Sequence, residues 1–119
     1  MGDITKLDVW QDGRILANMV YTMTNSGGIS RDYGLKDQLR RSAVSIVSNI
    51  AEGEESGFEK KAIHHFYISK GSIAELQTQI IIAKDNNLIN NHEADKTLGA
   101  ITTLSKKMRK LIQYRENNL

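Results

Sequence analysis

Apolar and polar residues are arranged along most of the chain with the spacing of α-helices. In four separate stretches the apolar residues recur at intervals of three and four, which places them on one face of a helix. These stretches predict helices over about residues 8–24, 35–53, 58–86 and 91–114. No stretch shows the strict two-residue alternation of a half-buried strand. We therefore predict an all-α protein in which residues 1–119 form a single domain.

Short polar residues and glycines mark the predicted helix ends. Three residue pairs have the spacing of N-terminal capping boxes: Asp8 with Gln11, Ser56 with Glu59, and Asn90 with Glu93. Gly53 is predicted to end the second helix, because glycine readily adopts the left-handed conformation that often follows a helix. Residues 25–34 contain three glycines and no helical spacing, so they are predicted to be the longest loop. Loops of this length are often functional or mobile, and the alternative, which we favour, is a plain connector between distant helix ends.

The connections between the helices predict how they pack. The connections after the second and third helices are short, and short connections favour antiparallel neighbours. The predicted architecture is therefore an antiparallel, up-down-up-down four-helix bundle. In the first helix the residues predicted to face the core are Ile15, Leu16, Met19 and Met23, and the seam of the third helix is Ala62, Phe66, Ile73, Leu76, Ile80 and Ala83.

Two helices carry a second face that is unlike a solvated surface. The residues are Arg41, Ser45, Ser48 and Glu52 on the second helix, and Ile68, Glu75, Gln79 and Ile82 on the third. Apolar area around a few paired polar groups is typical of the centre of a protein–protein interface. The alternative is that these are scattered surface isoleucines, which are common. We predict that the eight residues form an interface between copies of the chain.

A carboxylate buried at such an interface needs a partner, because an unpaired buried charge is costly. Glu75 lies between the two isoleucines of the third helix. We predict that Arg41 is its partner, either within one chain or between two chains.

Several chemistries are excluded or disfavoured by composition. The chain has no cysteine, which excludes disulfides, thiolate catalysis and cysteine-based zinc sites. His64 and His65 are adjacent, so on a helix they point about 100° apart and cannot easily share one ion. No phosphate-binding glycine loop or nucleophile elbow is present. We therefore expect no enzymatic activity, no cofactor, no metal and no small-molecule substrate.

The hydrophobic runs are short. None approaches the roughly 20 apolar residues that a membrane-spanning helix needs, and the N-terminus lacks the pattern of a secretory signal. We expect no membrane partner and a cytoplasmic location.

Positive charge is concentrated at the C-terminal end. The net charge of the chain is only +2, but the last predicted helix carries Lys106, Lys107, Arg109, Lys110 and Arg115. Repeated in an oligomer, these cations could bind RNA or DNA phosphates without sequence preference. They also complement the negative end of the helix dipole, and +2 is small for a nucleic-acid-binding domain. We therefore favour a scaffold that binds a protein partner, with nucleic-acid binding as the alternative.

Two motifs stand out in the second and third predicted helices. The first comprises Gln38, Leu39, Arg40, Arg41, Ser42, Ala43, Ser45, Ile46, Asn49, Ile50, Ala51, Glu52 and Gly53. The second comprises Gly71, Ser72, Glu75, Leu76, Thr78 and Gln79. Both resemble motifs of the family encoded by intervening sequences of bacterial 23S ribosomal RNA genes, and residues 7–13 resemble the family opening. The resemblance extends from residue 7 to about residue 110.

The resemblance implies a four-helix bundle that associates as a homopentamer. The accessory variability proteins of diversity-generating retroelements are similar in fold, and they are pentamers that bind nucleic acid and a reverse transcriptase. For the intervening-sequence family itself a molecular function is largely unestablished. The resemblance therefore implies an assembly without assigning an activity.

Overall fold

The computed structural model describes residues 3–119, which form four long helices. Its elements are a 3-10 helix over Ile4–Lys6, α1 over Asp8–Thr24, a 3-10 helix over Gly28–Arg31, α2 over Tyr33–Glu55, α3 over Glu59–Asp85, and α4 over Asn91–Asn117. Within residues 3–119 there is no strand, so the predicted all-α class is confirmed. The four helices pack into an elongated body of 45 × 21 × 19 Å.

Aliphatic side chains from all four helices fill one continuous core. Its members include Leu16, Val20, Leu39, Ile46, Phe66, Leu76, Ile101 and Met108, all almost completely buried. Burial of a large apolar side chain contributes about 1.5–3 kcal/mol, so the core is the principal source of stability. The predicted seam of α3 is confirmed, because all six of its residues are buried.

Helices α2 and α3 make the most extensive contact of any pair. Their shared seam is polar and closely packed: Ser42 Oγ lies 2.9 Å from Gln79 Oε1, Ser45 Oγ lies 2.9 Å from Ser72 Oγ, and Asn49 Oδ1 lies 3.1 Å from His65 Nδ1. Residue numbers therefore fall along α3 as they rise along α2. Each pair fixes which residues of the two helices lie at the same level of the molecule.

The predicted end of α2 at Gly53 is wrong. Gly53 is buried inside the helix, which continues to Glu55. A Cβ at this position would lie 2.9 Å from Phe66 Cε1 and 3.0 Å from the Ala62 carbonyl oxygen, so glycine here permits close approach of α3. The left-handed residue after the helix is Gly57, with φ of 79°.

One of the three predicted capping boxes is borne out in its main contact. Asn90 Oδ1 accepts a hydrogen bond of 2.8 Å from the Glu93 N–H. The residues that precede α1 and α3 are Leu7 and Phe58, and neither gives a side-chain cap. The roles predicted for Asp8 and Ser56 are therefore wrong, since each lies one or two residues away from the capping position.

The segment between α1 and α2 is more structured than predicted. It contains a 3-10 helix, and Ile29 at its centre is completely buried. The Ile29 N–H donates to the Leu88 carbonyl at 3.0 Å, which ties this segment to the turn between α3 and α4. Asp32 accepts from the Leu35 N–H and so starts α2 two residues earlier than predicted.

The core face of α1 is rotated relative to the prediction. Ile15 is 55% exposed, whereas Ala17 and Val20 are buried with Leu16. Ile15 and Leu16 are neighbours in sequence and point about 100° apart on the helix, so only Leu16 points into the core.

Candidate functional site

The eight residues predicted to form an interface lie on the two helices that flank the polar seam. Six of them are exposed. The other two, Ser45 and Gln79, are half-buried and already hydrogen-bonded across the seam to Ser72 and Ser42. The predicted set is therefore mixed, because two members hold α2 against α3 and six present side chains to the outside.

The exposed members on α3 form a ridge, here called the α3 ridge: Ile68, Glu75 and Ile82. They are spaced by seven residues, which is close to two helical turns, so they share one face. Ile68 is 39% exposed and Ile82 is 46% exposed. The ridge thus presents two large apolar side chains on either side of a carboxylate.

The exposed members on α2 are all polar: Arg41, Ser48 and Glu52. Arg41 Nε donates to Asp37 Oδ2 at 2.9 Å, one helical turn away, and its side chain stays largely in solvent. Ser48 and Glu52 are exposed farther along the helix. A pairing of Arg41 with Glu75 within one chain is wrong, because Glu75 forms no ion pair in the part of the chain described and Arg41 pairs with Asp37. A pairing between chains stays a prediction.

A groove on the outside of α1 and α2 lies beside Arg41. This Arg41 groove has a volume of about 640 Å³ and is lined by Tyr21, Asp37, Arg40, Arg41, Val44 and Ser45. It combines two arginines and one aspartate with exposed apolar area from Tyr21 and Val44. Sequence periodicity does not predict this groove, because Tyr21 lies on another helix and periodicity does not place it next to Arg41.

Arg40 is held in a fixed position at this groove. Its Nε donates to Thr24 Oγ1 at 2.9 Å, and its Nη2 donates to Asn25 Oδ1 at 3.1 Å. Its guanidinium carbon lies 4.3 Å from the centre of the Tyr21 ring, a cation–π distance. These contacts fix the orientation of the guanidinium and leave its remaining N–H groups available for hydrogen bonds to another molecule.

The five cations predicted for nucleic-acid binding fall into two sets. Lys107 Nζ lies 2.7 Å from Asp12 and 3.0 Å from Asp8 on α1. The hydrogen bonds to Asp12 and then to Asp8 raise the pKa of Lys107 above its ordinary value of 10.5. Lys107 is thus occupied in joining α4 to α1.

Arg115 is occupied in the same way at the other side of α4. It donates to Glu54 and Glu59, and its guanidinium lies 5.3 Å from the centre of the Phe66 ring. Partial burial lowers the pKa of Arg115, but the hydrogen bonds to Glu59 and Glu54 outweigh it, so the pKa is raised overall. These contacts join the C-terminal end of α4 to the end of α2 and the start of α3.

The other three cations are exposed. Lys106, Arg109 and Lys110 form no ion pair within residues 3–119. Lys70 of α3 lines the same shallow cavity as Arg109 and was missed from the sequence, because it comes from another helix. Lys70 and Arg109 therefore lie together, and Lys106 and Lys110 are exposed on the same helix as Arg109.

A second groove lies between α1 and α4. This α1–α4 groove has a volume of about 480 Å³, and its apolar lining comes from Ile15, Met19 and Met23. Arg14, Glu93 and Lys96 lie along it. It contains the one isoleucine of α1 that the prediction had assigned to the core.

Histidines and acids do not gather into a cluster of the kind that holds a metal. Within residues 3–119 no three such residues are placed to share an ion. His65 Nδ1 instead lies 3.1 Å from Asn49 Oδ1 and 3.5 Å from Glu52 Oε2, as part of the seam. Over the same residues no helix is both long enough and apolar enough to cross a membrane.

Comparisons with known proteins agree with the two motifs. The model of the 23S rRNA-intervening sequence protein family matches residues 5–110. A crystal structure of a protein of unknown function from the S23 ribosomal protein family of Bacteroides thetaiotaomicron superposes with a TM-score of 0.81 and 18% identity, covering 88% of this chain and 95% of that one. At that identity the likeness shows the fold. A comparison with curated proteins finds no match.

Proposed function

The chain belongs to the 23S rRNA-intervening sequence protein family, and from this premise we propose that it is a non-enzymatic scaffold that assembles with copies of itself. The observation that supports this most directly is the α3 ridge. Ile68 and Ile82 remain 39% and 46% exposed on one face, on either side of Glu75. Burial of this ridge against another molecule would remove apolar area from water, which favours association.

We propose a homopentamer in which each copy is an antiparallel, up-down-up-down four-helix bundle. The falling order of residue numbers along α3 opposite α2 supports the antiparallel arrangement of that pair. The number of copies comes from the family resemblance. The expected mass is five times the 13.4 kDa of one chain.

Mass measurement in solution tests the assembly. Light scattering coupled to size exclusion should give a multiple of 13.4 kDa at micromolar concentration. Ile68→Ser combined with Ile82→Ser should shift the mass toward that of one chain, because the ridge loses its apolar area. Ile81→Ser is the matched control, since Ile81 is 42% exposed but lies about 100° away around α3. A wild-type mass of 13.4 kDa would rule out the scaffold.

We propose further that the assembled scaffold binds a protein partner in the α1–α4 groove. The groove supports this because it offers exposed Ile15 beside two cations, and it lies away from the α3 ridge. Chemical cross-linking in cells, followed by mass spectrometry, should recover one protein with the wild type and lose it with Ile15→Ser. Recovery that is unchanged by Ile15→Ser would exclude this groove as the binding site.

Nucleic-acid binding is a second candidate function, and the exposed cations Lys106, Arg109 and Lys110 support it. Labelled structured RNA and duplex DNA would be titrated at low and moderate salt. Binding through phosphates should weaken steeply with salt, and each lost contact should lower the slope of log K against log salt by about 1. Lys106→Glu with Lys110→Glu should abolish binding.

The control for this titration is Lys60→Glu with Lys61→Glu. It makes the same change in net charge on exposed residues of α3. If both double variants lose the same amount of nucleic-acid affinity, the effect comes from the overall charge of the chain and not from the residues of α4. No binding of the wild type at low salt would eliminate this candidate.

A further inference from the structure

The α3 ridge and the Arg41 groove have complementary chemistry. The ridge presents a carboxylate between two isoleucines, and the groove presents two arginines and one aspartate beside exposed Tyr21 and Val44. Glu75 has no ion pair in its own chain within residues 3–119, while Arg41 has only an exposed one-turn pair with Asp37. Exposed pairs of that kind contribute little, about 0–1 kcal/mol, so Arg41 can accept a second carboxylate at small cost.

The two surfaces also lie at the same level of the molecule. Ser42 is level with Gln79 and Ser45 is level with Ser72, so Glu75 lies at the level of residues 42–45 of α2. Val44 of the groove occupies that level, and Arg41 lies one residue before that range. A second copy placed alongside, with its long axis parallel, would therefore bring its groove to Glu75 without any shift along the axis.

The isoleucines on either side of Glu75 lie level with Ser48, one turn past the groove residue Val44, and with the groove itself. Ile68 lies between His65 and Ser72, which places it at the level of residues 45–49, where Ser48 is exposed. Ile82 lies beyond Gln79, toward the level at which Arg40 stacks on Tyr21. A small side chain would face one isoleucine and an aromatic ring would face the other.

We infer that the α3 ridge of one copy packs into the Arg41 groove of a second copy, with Glu75 beside Arg41. The inference rests on the proposed function, since it names the two surfaces that meet in the assembly. Because the ridge and the groove are different patches of the same chain, the contact is heterologous and can close into a ring. In such a ring, the ridge of each copy would contact one neighbour, and its groove would contact the other.

Charge reversal tests the pairing. Arg41→Glu places two carboxylates together, and Glu75→Arg places positive charges together. Since like charges at an interface cost several kcal/mol, each variant should raise the concentration at half-assembly by at least about tenfold. Lys60→Glu and Asp85→Arg, on exposed residues outside both surfaces, should leave it unchanged.

Mixing the two variants decides whether the pairing is between chains. In a mixture, the groove of the Arg41→Glu chain meets the ridge of the Glu75→Arg chain with opposite charges, and the reverse contact is wild type. Sedimentation velocity should therefore show larger species in the mixture than in either variant. Rescue by the double variant but not by mixing would overturn the inference, because it would place the pair within one chain.

A cross-link measures the contact independently, because the wild-type chain contains no cysteine. Chains carrying Ser48→Cys and chains carrying Ile68→Cys should form a mixed disulfide under mild oxidation, whereas Ser48→Cys with Ile81→Cys should not. Disulfides between identical variants in place of the mixed one would indicate a symmetric contact and would overturn the inference.

The outcomes separate the two proposals. If the wild type and both single charge-reversal variants have the full oligomer mass, the pairing is overturned and the scaffold proposal stands. A wild type at 13.4 kDa would overturn both.

Discussion

Lys107 Nζ lies 2.7 Å from Asp12 Oδ2 and thereby joins the middle of α4 to α1. Asp8, one turn earlier on α1, lies 3.0 Å from the same ammonium. A cation that looked like part of a phosphate-binding surface in the sequence therefore neutralises two carboxylates of its own chain. The consequence is that neighbouring lysines of α4 have different roles, and substitutions distinguish them.

Lys107→Glu should lower the melting temperature, because it puts a third carboxylate beside Asp8 and Asp12. Lys106→Glu makes the same chemical change at an exposed residue that forms no ion pair in the described part of the chain, so it should leave the melting temperature nearly unchanged. Circular dichroism at 222 nm measures both. The difference should shrink in high salt, which screens exposed charges. Equal melting temperatures at low salt would contradict a structural role for Lys107.

Tyr67 should titrate above the ordinary tyrosine pKa of 10.0. Its hydroxyl donates to Glu116 Oε2 at 2.8 Å, and loss of this hydrogen bond on ionisation raises the pKa of Tyr67 above its ordinary value of 10.0. Because the pKa is raised in the folded state, the stabilisation is complete below pH 10 and disappears as the pH rises through the folded-state pKa. Absorbance near 295 nm during alkaline titration follows this step.

Glu116→Gln is the control for that titration. It removes the carboxylate but keeps a side chain of similar size, so the pKa of Tyr67 should move back toward its ordinary value of 10.0. An unchanged titration curve would show that Glu116 does not hold the Tyr67 proton in solution.

Gly53→Ala should destabilise the protein by about 1–3 kcal/mol, the usual cost of overpacking. The added Cβ would meet the Ala62 carbonyl oxygen at 3.0 Å and the Phe66 ring at 2.9 Å. A backbone carbonyl cannot rotate away, so α2 and α3 would have to separate. Denaturant unfolding measures the free energy of unfolding.

Gly99→Ala is the matched control, because Gly99 lies inside α4 and has no atom near its Cβ position within 4 Å. Alanine there should stabilise the protein by about 0.5–1 kcal/mol through its higher helix propensity. Destabilisation by both variants, or by neither, would contradict the close approach of α3 at Gly53.

Gly53 also illustrates what the sequence could not decide. Its place after a run of helical residues predicted a helix end, but its role depends on α3 passing close by, which is a tertiary contact. Local spacing does not distinguish a glycine that ends a helix from one that allows a second helix to pack closely. The same limit applies to Ser45 and Gln79, whose polar character suited an external interface but is satisfied across the seam.

Local spacing predicted several helix bounds and the exposure of the α3 ridge, although it misplaced two capping residues and the end of α2. The bounds of α1 at residues 8 and 24 are those predicted, and α4 begins at the predicted residue because Asn90 caps it. The α3 ridge is exposed as predicted, since a seven-residue repeat opposite the core must face outward. The groove around Arg41 could not be predicted, because it requires Tyr21 from another helix to lie beside Arg40.

Thr24→Val should destabilise the protein and loosen Arg40. Thr24 is completely buried, and its hydroxyl donates to the Val20 carbonyl at 2.8 Å while accepting from Arg40 Nε at 2.9 Å. Valine keeps the shape but leaves that Arg40 donor without its acceptor, so we expect a loss of about 1–3 kcal/mol. Thr102→Val is the control, because Thr102 donates to the carbonyl four residues earlier in the same way but is exposed. Its effect should stay within about 0.5 kcal/mol. Equal losses in denaturant unfolding would mean that the helix hydrogen bond, and not Arg40, accounts for the role of Thr24.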